Sequence, residues 1–374
     1  MYFAIIGNHP EITLKELHQV HPKNLKQISD HLITFDTNEA DKLTNIASLI
    51  KRGEVLPFEE IENILTARHC EGNEVSRGNL LNKKPKILGI ADKVMGINFK
   101  KKYGMKRFKQ VDILHTDLDV KKKGIELVKI PPAKGDTPKG RGAVVEYGVV
   151  LGYQNIKLYE VIDFEKPGRS MQLGMMPAKL THSLINIALS FTKNQEKTLI
   201  FDPFCGTGTT GFLANYFGYN FIGSDIKLNL ALKNQSWREE SRYYQDKLFK
   251  FYEQDISKPL DPNNFADLLS HETVIVTEGR LGPVIKQTTT AEEVIEYQRR
   301  VKNLYLQFIQ TITNFFGEKR PPMVFTIPIY IGHENSIEEH ITTLTEKLGR
   351  KIESIEEPYK REQHKVARKI IILR

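Results

Sequence analysis

Three aspartates stand at matched points in the second half of the chain: Asp202 in "TLIFDPF", Asp225 in "FIGSDI" and Asp255 in "YEQDI". Each closes a short run of apolar, β-prone residues, so each is placed at the carboxyl end of a strand. Between the first two lies "FDPFCGTGTTGF", where Gly206, Gly208 and Gly211 let the backbone turn tightly and approach a ligand with no Cβ in the way. The spacing is not that of a dinucleotide fingerprint, and no Gly-Lys-Ser/Thr follows, which disfavours a phosphate-binding P-loop. An acid before such a turn can meet a cationic amino group. A second acid, at the end of the next strand, is placed to accept both hydroxyls of a ribose. The third can accept from an adenine amine. A single acid at a strand end is usually a helix cap, but three in order beside a glycine-rich turn specify an adenosine-bearing ligand with a cationic tail. S-adenosylmethionine is that ligand.

The elements that must hold these residues read as a regular alternation. "TLIFDPF", "NFIGSDI", "FKFYEQDI", "ETVIVTEG", "PPMVFTIPIY" and "KVARKIIILR" are strands, and the segments between them carry helical periodicity, the longest being "AEEVIEYQRRVKNLYLQFIQTITNFF". Strands separated by helices imply a mostly parallel sheet covered on both faces, an α/β Rossmann-like domain expected over 161–374. Upstream, "MYFAIIG" and "HLITFDT" read as strands, and "PEITLKELHQV" and "EADKLTNIASLIKRG" as helices, the second stopping at Gly53. "PFEEIENILTARHC" reads as a further helix, and "GAVVEYGVVLGYQNIKLYEVIDF" as two strands joined near 152–155. An α+β region is therefore expected over 1–160.

"DPFCGTGT" resembles the cofactor motif of amino-group nucleic-acid methyltransferases. The likeness extends upstream, where "IDFEKPGRSMQLGMMPAKLTHSLINIA" is similar to the corresponding segment of THUMP-domain tRNA guanosine N2-methyltransferases. Gly174, Met175, Met176, Pro177, Lys179 and Leu180 match that family's Gly-Met-Met/Leu-Pro-Pro-Lys-Leu turn, with Ala178 in place of the second proline. The resemblance implies a class I S-adenosylmethionine-dependent fold, and a cofactor set of Met176, Pro177, Lys179, Asp202, Phe204, Gly206, Gly208, Thr209, Asp225, Ile226, Asp255 and Ile256. It implies a ferredoxin-like start at "MYFAIIGNHPEITLKEL" and a THUMP-like RNA-binding module ending near "KKKGIELVKI". It is specific over about 155–283 and loose elsewhere.

The stretch "VTEGRLGP" departs from the family. There the fourth strand ends in Asp/Asn-Pro-Pro-Tyr/Phe: an acceptor oxygen and a proline-fixed carbonyl take the two N–H bonds of an exocyclic amine, and an aromatic ring stacks on the base. Aligned without gaps, Glu278 replaces the acid, Gly279 and Arg280 the prolines, and Leu281 the ring. The acceptor survives one methylene longer, while the rigid carbonyl and the stacking ring are lost. Glu278 is the candidate to hydrogen-bond the target base, and Arg280 to position it through stacking or a phosphate.

The formal net charge is +8 over 374 residues. Cations crowd "FKKKYGMKRFK", "KKKG" and "AKGDTPKGRG" within 99–142, with Phe99, Tyr103 and Phe108 among them, as in surfaces that pair phosphates with stacked bases. Lys100, Lys101, Lys102, Lys106, Arg107, Lys109 and Arg141 are the candidate RNA contacts, and Arg361, Lys365 and Arg368 of the last hairpin are placed to touch backbone. RNA, most simply tRNA, is the expected partner. Two distant cysteines, Cys70 and Cys205, suggest neither a disulfide framework nor a metal site. No run of 18 apolar residues or signal-peptide pattern is seen, so a cytoplasmic protein is expected. The rival readings are a DNA amino-methyltransferase, which must flip its base, and a non-catalytic RNA-binding protein that keeps the fold.

Overall fold

The computed structural model describes residues 1–57, 59–61, 64, 87–102, 106–131, 146–169, 175–239, 244–360 and 364–374. They form two compact units, Met1–Asn155 and Ile156–Arg374. A boundary at 160 would fall at the end of the short helix Ile156–Glu160.

The first unit contains β1 (Tyr2–Ile6), α1 (Pro10–Leu17), β2 (Lys23–Ser29), β3 (Leu32–Asp36), β4 (Leu49–Leu56), β5 (Ile87–Ile90), α2 (Lys93–Lys102), β6 (Arg107–Lys109), α3 (Leu118–Lys123), β7 (Gly124–Ile130) and β8 (Glu146–Tyr153). Its eight strands run in the order β2-β3-β1-β4-β8-β7-β5-β6. Two sequence expectations fail here. The helix expected through 39–53 is a short 3-10 turn, Ala40–Asn45, followed by β4. β4 lies between β1 and β8, and the alternating positions Leu49, Lys51 and Gly53 are buried. Lys51 belongs inside because Glu126 meets its ammonium at 2.7 Å and the Asp112 carbonyl at 2.9 Å, while the Tyr153 hydroxyl donates to Glu126 at 2.9 Å. The two strands expected over 142–164 are one strand, β8, and then helix. The helix expected over 57–70 lies largely outside the described residues.

The second unit contains α4 (Ile156–Glu160), α5 (Ala178–Leu189), β9 (Leu199–Asp202), α6 (Thr209–Tyr216), β10 (Asn220–Asp225), α7 (Asn229–Glu239), β11 (Phe249–Glu253), α8 (Ala266–Ser270), β12 (Thr273–Thr277), α9 (Ala291–Phe316), β13 (Met323–Tyr330), α10 (Ile337–Lys347), β14 (Ile352–Ser354) and β15 (Val366–Leu373). The sheet order is β11-β10-β9-β12-β13-β15-β14. Neighbours are parallel from β11 to β13, and β15 runs antiparallel to both β13 and β14. The chain starts at the central β9, steps outward to β11, then returns to β12 on the other side. That reversal makes the carboxyl ends of β9 and β12 the topological switch point, where open α/β sheets take their ligands. α5 is buried almost throughout, its polar Thr181, His182, Ser183 and Asn186 included. α9 starts at a capping box, with Thr290 and Glu293 each satisfying the other's backbone N–H. Its stripe Val301, Tyr305, Phe308 and Ile312 packs under the sheet against Phe325 and Ile327.

Candidate functional site

The four acids of the second unit stand at the carboxyl ends of adjacent strands. Asp202 ends β9, Asp225 ends β10, Asp255 follows β11 and Glu278 follows β12. The turn after β9 is set by Gly206 and Gly208, with φ of 52° and 82°, a left-handed region that glycine enters without strain. A Cβ on Gly208 would also press on Phe251 at 3.2 Å and Phe212 at 3.3 Å. The Gly206 N–H donates to Asp225 Oδ2 at 3.0 Å, and the Lys227 N–H to Oδ1 at 3.2 Å. Each Asp225 oxygen keeps a further lone pair, and the exposed side chain of Ile226 lies next to it in the chain. Asp255 accepts from the Ser257 N–H at 3.0 Å and hydroxyl at 2.6 Å, which hold its carboxyl below the usual range.

Asp202 is buried and accepts from the Phe204 N–H at 3.1 Å. Burial pushes its pKa up to about 6, although the Thr210 and Thr277 hydroxyls and that N–H oppose the rise. Phe204 is half-buried, its ring 5.4 Å from Phe308 and 6.4 Å from Tyr305. Met176 and Pro177 are buried ahead of α5, and Lys179 is half-buried on its first turn. The Ala178 N–H donates to Asp163 at 2.9 Å. Ile256 is a core residue, packed in the same cluster as Leu260 and Phe265, so any contact with a crevice ligand would come through its backbone. His182 and Cys205 are buried; the His182 ring stacks on Phe217 at 4.0 Å and its Nδ1 lies 3.0 Å from the Tyr159 hydroxyl.

Three residues that tie the glycine turn to the rest of the unit carry no signal in the sequence. Lys166 is buried, with Nζ 2.5 Å from the Thr209 hydroxyl, and burial lowers its pKa to about 8. Asn234, on α7, accepts from the Gly168 N–H at 2.5 Å and donates to the Thr207 carbonyl at 2.9 Å and the Gly168 carbonyl at 3.2 Å. Gly168 admits this clamp because a Cβ there would lie 2.7 Å from the Leu230 carbonyl oxygen. Asn234→Ala is therefore expected to lower unfolding free energy by roughly 2–4 kcal/mol, since it strands several buried backbone groups at once. A denaturant melt checks it, and a loss below about 0.5 kcal/mol would deny the clamp.

The loop 278–282 is held by side chains where the related motif uses prolines. Tyr305 Oη lies 2.6 Å from the Thr326 carbonyl and 3.0 Å from the Glu278 carbonyl, to which the Thr326 hydroxyl also donates at 2.9 Å. The Tyr330 hydroxyl donates to the Leu281 carbonyl at 2.9 Å. Gly279 and Gly282 sit at φ of 67° and 87°, and a Cβ on either would strike those tyrosine oxygens at 2.3 and 2.4 Å. Tyrosine and threonine hydroxyls thus hold the loop's carbonyls in place of any proline. Glu278 is buried and forms a short ion pair with Arg368 of β15. Arg368 is itself buried, which corrects the expectation of an exposed, RNA-facing side chain; Lys365 is exposed, and Arg361 lies outside the described residues. Arg280 is exposed.

In the first unit, Lys100, Lys101, Lys102, Lys106 and Arg107 are exposed, Arg107 lying 3.6 Å from Asp119. Lys109 is half-buried, 2.9 Å from both Asp117 and Asp119. Arg141 and Tyr103 lie outside the described residues. Phe99 is buried with its ring 6.1 Å from Tyr147, and Phe108 packs on the same core, so neither is a free stacking platform.

A family model described as DNA methylase matches residues 152–233, which include the glycine turn, Asp202 and Asp225. No curated protein matches the sequence. Among solved structures, TrmN from Thermus thermophilus is 11% identical, with 99% of this chain and 98% of that chain covered and a TM-score of 0.47. An rRNA methylase from Streptococcus thermophilus is 11% identical, covering 53% of this chain and 96% of that one, at 0.34. Magnesium protoporphyrin IX methyltransferase from Synechocystis is 12% identical over 59% of this chain and 96% of that one, also at 0.34. The strand order of Ile156–Arg374, with its reversed β15, is that of the Rossmann-like S-adenosylmethionine-dependent methyltransferase fold.

Proposed function

We propose that the chain is an S-adenosylmethionine-dependent methyltransferase acting on a base amine in tRNA, of the guanosine N2 type. The observation that carries this reading is the row of Asp202, Asp225 and Asp255 at or just past the carboxyl ends of adjacent strands, beside a turn whose glycines hold positive φ. The residues fit the cofactor. Asp225 keeps lone pairs for two ribose hydroxyls with Ile226 beside it, Asp255 is held ionised, and Asp202 is a buried carboxyl for the ammonium of the methionine tail. When bound, the cofactor supplies a methyl group on a sulfonium that is already reactive.

What the chain adds is orientation and exclusion of water. Met176 and Pro177 close the methionine end, and Lys179 stands on the first turn of α5. Glu278 accepts an N–H of the target amine, drawing its lone pair out of the ring, and takes the proton released after transfer. Arg280 positions the base. In the first unit, which we read as a ferredoxin-like and THUMP-like RNA-binding region, Lys100, Lys101, Lys102, Lys106, Arg107 and Arg141 grip RNA phosphates, with Lys109 supporting them through Asp117 and Asp119.

A second reading, a DNA amino-methyltransferase, draws on the DNA methylase match at 152–233. One experiment separates the two. The protein is incubated with methyl-labelled S-adenosylmethionine and either total tRNA or duplex DNA, and the nucleosides are analysed by mass spectrometry. Label in N2-methylguanosine from tRNA is expected. Label confined to DNA would replace the first reading by the second. Cofactor binding with no label in either would leave a binding protein that keeps the fold.

A further inference from the structure

A cleft of about 310 Å³ lies beside the loop that begins at Glu278, lined by Arg280, Gly282, Pro283, Tyr297, Arg300, Val301 and Leu304. Its far wall is one face of α9, since 297, 300, 301 and 304 fall three or four residues apart. The loop turns at Gly282, with φ of 87°, next to the Leu281 carbonyl held by the Tyr330 hydroxyl, and Arg280 and Pro283 line the cleft on either side of that turn. The volume is at the lower end of the range for small-ligand sites, room for one nucleotide and too little for a duplex.

The lining combines two kinds of chemistry. Tyr297 is a half-exposed ring above an aliphatic floor of Val301 and Leu304. Arg280 and Arg300 bring two exposed guanidinium groups to the rim. Glu296 braces Arg300 at 2.6 Å and Arg299 at 2.7 Å, and these hydrogen bonds hold its carboxyl down to about 2. Arg299 and Arg300 thus share one glutamate, and among the described residues no carboxylate lies within 4.0 Å of Arg280. A guanidinium pair takes a phosphate, and a tyrosine takes a base.

We propose that this cleft is a subsite for one unpaired nucleotide next to the methylated one, its phosphate held by Arg280 and Arg300 and its base stacked on Tyr297. The inference rests on the nucleic-acid methyltransferase reading and names what holds the strand beside the target. It also explains the loss of the motif's aromatic position at Leu281: the stacking ring is supplied from α9, for the neighbouring base.

The test uses the full chain, a fluorescent single-stranded RNA pentamer, and a hairpin RNA of blunt duplex as control, read by anisotropy across a salt series. Arg280→Ala/Arg300→Ala is expected to weaken pentamer binding at least tenfold and to lower the salt slope by about 2, one for each lost cation. Hairpin binding should change less than twofold. Tyr297→Ala should weaken the pentamer by a similar factor without altering the slope, while Tyr297→Phe retains it. Cofactor affinity and melting temperature serve as folding controls in each variant. Unchanged pentamer affinity and slope in the arginine double variant would overturn the subsite, as would equal losses on pentamer and hairpin, which mark general charge. Either result would also remove Arg280 as the residue that positions the base, while methyl transfer itself stands or falls with the labelling of tRNA.

Discussion

Asp202→Asn is expected to raise the melting temperature at pH 8 while abolishing cofactor binding. Asp202 lies under the glycine turn with donors from the Phe204 N–H and the Thr210 and Thr277 hydroxyls, yet burial still lifts it from 3.8 to about 6. A folded pKa above the unfolded one means that the folded protein binds the proton more tightly. The fold is therefore favoured as pH falls through about 6, and the cost of keeping the buried charge is fully present above it. A shift of this size corresponds to roughly 3 kcal/mol at pH 8. Asparagine keeps the shape and an oxygen for the Phe204 N–H, and the two hydroxyls rotate to suit its amide. The variant should melt several degrees higher at pH 8, at about 2–4 °C per kcal/mol, and the gap should close as the pH is lowered towards 4 and wild-type Asp202 takes up its proton. If Asp202 meets the cofactor's ammonium as proposed, affinity moves the other way, because the ammonium loses its counter-charge; in the wild type, affinity should then also fall as pH drops below about 6. Calorimetric melts at both pH values, with cofactor titrations at pH 8, check both halves. A variant that melts lower at pH 8 would mean that the carboxylate's hydrogen bonds outweigh its burial.

The parts of this site that could be read from the sequence are those whose chemistry is local. Gly206 and Gly208 announce a turn wherever they occur, and Asp202 and Asp225 end the strands that present them, so the turn and its flanking acids are legible. Residues whose meaning depends on a distant partner were not. Lys51 sits in "SLIKRGEV", which mimics the polar face of a helix until Glu126, 75 residues away, turns it inward. Arg368 looks like one more cation of a basic hairpin, and its partner Glu278 is 90 residues earlier. Phe99 and Phe108 lie among lysines and resemble a stacking surface, but α2 is amphipathic and turns Phe99 to the core while exposing Lys100. Charge runs reveal how many cations a segment carries and not which of them folding will consume. The tyrosines that brace the loop 278–282 are a further case: nothing at 305 or 330 marks a residue whose hydroxyl will hold a carbonyl of a distant loop.

Because Glu278 has Arg368 as its partner, its contribution to turnover can be separated from its contribution to stability. Removing either side chain alone leaves a buried, unpaired charge, so Glu278→Ala and Arg368→Ala should each destabilise by roughly 3–5 kcal/mol and are poor probes of chemistry. Glu278→Gln keeps an oxygen for the guanidinium and nearly the same volume. If the carboxylate accepts the amine N–H and its proton, the amide should lower turnover on tRNA about 100-fold, the scale seen when one preorganised electrostatic contact is lost at a reacting centre. Cofactor affinity should stay within twofold, because Asp202, Asp225 and Asp255 are untouched. The paired replacement Glu278→Leu/Arg368→Met is expected to recover most of the stability lost by either alanine variant, since packed apolar groups commonly substitute for a buried ion pair without loss. Its turnover should nevertheless remain at background. This split distinguishes a reacting carboxylate from a merely structural one: a structural pair would return activity together with stability. Wild-type turnover in Glu278→Gln, or activity regained by the apolar pair, would remove Glu278 from the reaction and shift attention to the backbone carbonyls of Gly279 and Arg280 as the acceptors of the target amine.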